Sequence, residues 1–188
     1  MKPTGASLAA AGDFYLGRSY AEMDCQAFVE RCLRDVGISL NLAGSNAWYR
    51  KMTWVGSPEE CRKEFGSVPV GAFLFILETD GKEPEKYRKD GIGNASHIGL
   101  RTGKGDGAIH SSKSKGCVAY SVFKDKMIRN GGWNRVGLWD EIDYGDKVNQ
   151  KLGKQVSIEV TMSTGQAEAM LAVMEMIRKE IAAKGYKG

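Results

Sequence analysis

Tyr20-Ala-Glu-Met-Asp-Cys-Gln-Ala-Phe-Val-Glu-Arg-Cys-Leu-Arg-Asp-Val-Gly37 is the stretch whose reading decides the fold. Its first residues are polar, Asp24 and Cys25 stand at a turn, and a helical pattern follows. Ala27/Phe28, Arg31/Cys32 and Val36 recur at three- and four-residue steps, and Gly37 is suited to a helix stop. Cys25 therefore falls in the first turn of a helix. Unpaired backbone N–H groups and the helix dipole favour an anion there, which lowers a thiol pKa toward the thiolate. That is how a cysteine nucleophile is prepared. Most free cysteines are instead small buried apolar residues, and this stretch alone leaves both readings open.

The chain around it bounds what that cysteine can be. Its 188 residues suit one domain, or one domain with an appendage, and suffice for a real core. A net charge of +4 is mildly basic. It is compatible with an anionic polymer such as a cell wall and too weak to argue for nucleic acid. The four cysteines, at 25, 32, 61 and 117, form no CxxC, and with only two histidines the sequence offers no structural zinc set and implies no cofactor. Cys25 and Cys32 are separated by about 10 Å of helical rise, too far for a disulfide. Reduced thiols made in a cytosol are expected. Residues 1–12 lack the length of a secretory signal, and no stretch reaches the length of a membrane span.

Away from Cys25 the pattern becomes that of an α+β domain. Residues 6–17 are weakly helical. Between 39 and 68 lie Trp48, Tyr49, Met52 and Trp54, either a small packed cluster or the wall of a cleft. Ser57-Pro-Glu-Glu60 in the same segment reads as a helix start. Val68-Pro-Val-Gly-Ala-Phe-Leu-Phe-Ile-Leu77 is the continuous apolar run of a central strand, and Glu78 to Asn94 is a charged loop. Ser96–Arg101, Gly107–Ser111, Cys117–Phe123 and Trp133–Trp139 read as further short strands. One helical layer on an antiparallel sheet of about five strands results. After Tyr144 the texture changes: Gln155–Thr161 alternates like a strand, and Ser163-x-x-Gln166 opens a C-terminal helix. The expected domains are a catalytic domain at 1–145 and an extension at 146–188. Residues 163–184 of the extension either dock on the domain or form a homo-oligomer or assembly contact.

His97 and His110 are the only histidines, and both fall in one hairpin. A two-residue turn at Gly103-Lys104 sets Gly99 against Ala108 and His97 against His110, with the imidazoles side by side on one face. A slip of one residue would send them to opposite faces. The arrangement implied is nucleophile, base and orienter: Cys25 attacks a carbonyl, His97 moves the proton, and His110 holds the His97 ring.

These residues resemble the NlpC-type cell-wall cysteine peptidases. The likeness is carried by Asp24-Cys25, Val70-Gly-Ala-Phe-Leu-Phe-Ile, Ser96-His-Ile-Gly-Leu-Arg-Thr-Gly, Ala108-Ile-His-Ser-Ser and Gly116-Cys-Val, over roughly residues 13–139. It implies a papain-like core and hydrolysis of peptidoglycan stem peptides after a γ-linked D-glutamyl residue, with Cys25, His97 and His110 as the catalytic set. It also implies that the acidic residue before the cysteine and a nearby tyrosine hold the substrate amine or backbone. Asp24 matches the first, and Tyr15 is taken for the second. Arg18 and Ser96, flanking the Cys25 turn and His97, complete the substrate-side candidates. Two departures adjoin the nucleophile: Gln26-Ala27 replaces the family's Ser-Gly, and Gly17-Arg18 replaces its Gly-Gly. Residues 39–68 also exceed the family's usual connection.

Three rivals remain at this stage. They are a related cysteine amidase, an acyltransferase on the same core, and an inactive domain serving as a structural part of a phage tail or injection machine. Thiol reactivity separates the last, because an active enzyme is expected to alkylate selectively at Cys25 near neutral pH. The expected site of action is the cell wall, reached by phage lysis, a phage tail or another export route.

Overall fold

The computed structural model describes residues 1–104, 107–123 and 132–153. Residues Met1–Asn149 form one compact unit. The expected strand at 155–161 and helix from 163 lie outside the described residues. Among the described residues no helix is long and apolar enough to cross a membrane.

Helix α1 (Gly5–Phe14) is capped by Thr4, whose side chain accepts from the Ser7 N–H. Helix α2 (Cys25–Asp35) starts at Asp24, whose carboxylate accepts from the Ala27 N–H at 2.8 Å. Its Phe28, Val29, Cys32 and Leu33 are buried, as the three- and four-residue spacing requires. The two helices pack closely at Gly12, where a Cβ would lie 3.2 Å from the Phe28 ring. Segment 39–68 contains two elements the sequence did not mark, helix α3 (Ser45–Lys51) and strand β1 (Trp54–Gly56). Helix α4 (Pro58–Phe65) follows with a full capping box between Ser57 and Glu60 and with Pro58 at its first turn.

The remaining strands are β2 (Phe73–Glu78), β3 (Asn94–Arg101), β4 (Gly107–Ser112), β5 (Cys117–Val122) and β6 (Arg135–Leu138). They join β1 in a six-stranded antiparallel sheet of order β1-β6-β2-β3-β4-β5. The apolar run at 68–77 becomes strand only from Phe73. Before it, a turn runs through Pro69–Ala72, closed by the Ala72 N–H on the Pro69 carbonyl. Trp133 likewise precedes the last strand rather than opening it.

The core lies between the sheet and the helices, where Leu8, Phe28, Leu33, Trp48, Phe73, Phe75, Ile98, Leu100 and Ile109 are all fully buried. The aromatics of segment 39–68 belong to packing. Trp48 stacks on Phe73, Tyr49 meets Phe75 edge-on, and Trp54 meets Phe65. Buried Glu30 of α2 ties this segment down by accepting from the Trp48 indole and the Leu42 N–H. Gln26 donates both to Glu30 and to the Leu42 carbonyl, so the residue in the family's serine position is a brace for the 38–44 loop.

The β3–β4 register differs from the expected one by two residues. Ala108 faces Arg101 rather than Gly99, and Ile109 faces Leu100. The connection is longer than a two-residue turn: the Thr102 N–H bonds the Gly107 carbonyl, and β4 starts only at Gly107. Because side chains alternate along a strand, a shift of two preserves the face each residue occupies.

Candidate active site

The β3–β4 ladder ends at Leu100–Ile109, and the start of α2 occupies the fork that opens beyond it. Three sets of bonds put it there. The Gly17 N–H bonds the Val118 carbonyl, the Val118 N–H bonds that of Arg18, and the Tyr20 N–H bonds that of Gly116, which lays residues 17–20 along β5. The Ser111 hydroxyl donates to the Met23 carbonyl from β4. On the other side the Ile98 N–H, two residues along from Leu100 on the same edge, donates to the Cys25 sulfur. Nearer its start, β3 is held by α3. The Ala95 N–H donates to Asn46 Oδ1 at 2.9 Å and the Ala95 carbonyl accepts from Ser45.

Cys25 is half-buried as the first residue of α2. Burial pushes its thiol pKa up, and the Asp24 carboxylate adds to the rise. The N–H groups of Ile98, Gln26 and Cys25 itself oppose it without reversing it. The expectation of a lowered thiol is thus overturned. The donors that favour a thiolate are in place, but desolvation outweighs them.

On β3 and β4, His97 Nε2 lies 2.6 Å from His110 Nδ1, with the rings nearly perpendicular at 82°. Burial lowers both imidazoles to about 4, and for His110 the neighbouring His97 and Lys115 act in the same direction. Trp133 packs on both. Its indole stacks on His97 at 5.3 Å and 25° and meets His110 edge-on at 5.1 Å, while its Nε1–H donates to the Ser121 hydroxyl at 3.1 Å. Gly99 leaves the room for this, since a Cβ there would lie 2.8 Å from the Trp133 ring and 2.9 Å from the His110 Cβ. The outer nitrogen of His110, Nε2, is buried and has no hydrogen-bond partner among the described residues.

The other candidates divide. Asp24 is exposed beside Cys25, with one carboxylate oxygen occupied as the cap of α2. Ser96 is exposed on β3 next to His97, its hydroxyl 3.4 Å from the Ile76 carbonyl. Arg18 is exposed and, among the described residues, pairs with Glu22 at 4.0 Å. Tyr15 is not at the site. It is buried with its hydroxyl donating to Asp35 at the far end of α2, and burial with that carboxylate raises it to about 12. The tyrosine beside the nucleophile is Tyr20, whose hydroxyl is pushed up by burial and by the nearby Cys25 and Asp24. Sequence reading passed over Tyr20 although it opens the deciding stretch, four residues before Asp24. It also missed Trp133, which only tertiary packing brings to the histidines.

Among the described residues no group of three or more His, Cys, Asp or Glu side chains is placed to hold a metal ion. Two concavities, each of about 470 Å³, lie elsewhere. One is on the β4–β5 hairpin around Lys104, Lys115 and Tyr120, the other near Gly5, Pro69 and Tyr144.

No protein-family model and no curated protein matches the sequence. Solved structures do resemble it. An NlpC/P60 family protein from Bacillus cereus ATCC 10987 superposes with a TM-score of 0.52 at 17% identity, over 77% of this chain and 41% of that one. NlpC1 from Trichomonas vaginalis gives 0.51 at 15% identity, over 72% of this chain and 44% of its own. The chain spans less than half the length of either. These likenesses show the fold, an α+β core of the NlpC/P60 type.

Proposed function

We propose that the chain is a cysteine peptidase that hydrolyses peptidoglycan stem peptides, with Cys25 as nucleophile, His97 as base and His110 as the residue that orients it. The observation that carries this reading is the 2.6 Å contact between His97 Nε2 and His110 Nδ1, next to the Ile98 amide on which the Cys25 sulfur rests. An imidazole held by its Nε2 presents Nδ1 as the proton-accepting atom. That role requires His97 to carry its proton on Nε2 and donate it to His110 Nδ1, so the His110 proton sits on Nε2.

In the resting site both partners are neutral, thiol and imidazole, because burial raises one and lowers the other. Attack is then general-base catalysed. His97 takes the thiol proton as the Cys25 sulfur bonds to the scissile carbonyl carbon, and the carbonyl oxygen becomes an oxyanion. The Ala27 and Phe28 N–H groups are bonded to Asp24, which leaves the Cys25 and Gln26 amides of the first turn to face the developing charge. The imidazolium returns its proton to the leaving amine as the carbon–nitrogen bond breaks, and a thioester remains. Water, deprotonated by His97, opens that thioester to release a carboxylate and the thiol. Asp24 and Tyr20 stand on the approach to the sulfur, where a free substrate amine or backbone would be held. The γ-D-glutamyl–diamino acid bond is the scissile bond the family resemblance implies. Acting there requires delivery to the wall by lysis, a tail or export.

The test is digestion of purified sacculi. The expected result is stem-peptide fragments, identified by mass spectrometry, from the wild type and none from Cys25→Ser. Equal release by both would refute the reading.

A further inference from the structure

His110 is an unusual third member because nothing polar holds its far side. Orienting residues normally have their own hydrogen bonds, which transmit rigidity to the base. His110 Nε2 has no such partner among the described residues, and the residue is nine-tenths buried. What fixes the ring must be packing. Among the described aromatic rings Trp133 is the one that packs on both: it stacks on His97, meets His110 nearly at right angles, and is itself tethered to Ser121. Its seat against the sheet exists because residue 99 lacks a Cβ.

We propose that Trp133 is a positioning residue, fixing the His97 ring against His110 and shielding the hydrogen bond between them from water. The catalytic consequence rests on the peptidase reading above; the positioning itself does not. The indole contributes in two ways. Its face restricts rotation of the His97 ring, which is otherwise held, among the described residues, by the Nε2 contact with His110. Its bulk also keeps water off a neutral–neutral hydrogen bond, which is weaker than the carboxylate–imidazole bond of other triads and more readily replaced by water. An indole is suited to this because it combines a broad apolar face with one N–H, and Ser121 satisfies that N–H.

The test compares Trp133→Phe, Trp133→Leu and Ser121→Ala with the wild type. The ionisation of the two histidines is followed by proton–nitrogen NMR, and peptide release is measured as kcat and KM. Apart from the two rings themselves, the charged group acting on the pair is Lys115, which is unchanged in all three variants. Trp133→Leu should move both titrations up from about 4 toward 6.5, since the site opens to water. It should also lower kcat on the order of ten- to a hundred-fold with little change in KM. Trp133→Phe keeps an aromatic face and should recover most of both effects. Ser121→Ala, which loosens only the tether, should shift both modestly in the same direction and covers the case in which Trp133→Leu fails to fold. Unchanged titrations in folded Trp133→Leu, or in Ser121→Ala where it does not fold, would overturn the proposal whatever the activity. Titrations that shift in the variants while the wild type itself releases no peptide would leave the positioning intact and remove the peptidase reading.

Discussion

His97 Nε2 stands 2.6 Å from His110 Nδ1, although the β3–β4 ladder ends at Leu100–Ile109 and, carried one step further, its register sets Gly99 and not His97 across from His110. The two imidazoles meet on the diagonal of the hairpin, over a position with no side chain. Diagonal neighbours are farther apart than opposed ones, and two extended rings bridge the gap only if nothing stands between them. Glycine at 99 therefore belongs to the site as much as the histidines do.

Gly99→Ala should disturb the site more than its single methyl suggests. The added carbon would meet Trp133, the His110 Cβ and the Ile109 carbonyl within 2.9 Å. Overpacking of this kind costs about 1–3 kcal/mol. A urea midpoint should fall accordingly and peptide release should drop with it. Unchanged stability and activity would mean the diagonal packing is not needed.

The pH dependence of kcat/KM should place its acid limb near 4 rather than near 6.5. His97 accepts the thiol proton only when neutral, and burial keeps it neutral down to about 4. Alkylation of Cys25 should remain slow at neutral pH and accelerate only above the ordinary thiol range, because burial raises that thiol. Cys61, raised to about 12, should be slower still. Fast and selective labelling of Cys25 at pH 6 would indicate a preformed thiolate–imidazolium pair instead.

Fold stability should fall as pH drops from 6.5 to 4. In that window the unfolded chain takes up protons on two histidines that the folded chain keeps neutral, so the contribution is complete above 6.5 and lost toward 4. Denaturant midpoints at pH 7 and pH 4.5 give the slope, and His110→Gln should reduce it by one histidine's share. Identical slopes for the two proteins would place His110 in solvent.

The clamp of α3 on β3 is open to a separate test. Asn46→Ala removes the acceptor of the buried Ala95 N–H, at a cost of about 1–3 kcal/mol for the orphaned group. Hydrogen exchange at Ala95 should quicken and peptide release should weaken, because His97 lies two residues along the same strand. Unaltered exchange at Ala95 would mean that α3 does not hold the strand.

Much of this fold was legible in local chemistry. Asp24 and Cys25 at the turn before the helix, the four-residue spacing of Phe28, Cys32 and Val36, and the Ser57-Pro58-Glu-Glu60 start all state their geometry in sequence. The β3–β4 connection was misread because Gly103-Lys104 satisfies a two-residue turn, and only the strand period kept the histidines on one face. Helix α3 was missed because it is short and its N-cap is Gly44, which has no side chain with which to cap it. Tyr15 and Tyr20 could not be ranked from sequence, since either lies near Cys25 along the chain and only packing sends Tyr15 to Asp35. The Cys25 thiol ran opposite to expectation for a related reason. A helix start can be read from residues, whereas the burial that outweighs it belongs to the assembled fork.

The central claim is that Cys25, His97 and His110 act as one unit, and peptide release by four proteins tests it most directly: wild type, His97→Ala, His110→Ala and His110→Gln. His97→Ala should release essentially nothing. His110→Ala should keep a remnant, reduced by roughly a hundredfold or more, as when an orienting member is lost. His110→Gln should recover part of that loss, because its amide oxygen can still accept from His97 Nε2. Wild-type rates in His110→Ala would contradict the account, leaving the 2.6 Å contact a feature of packing alone.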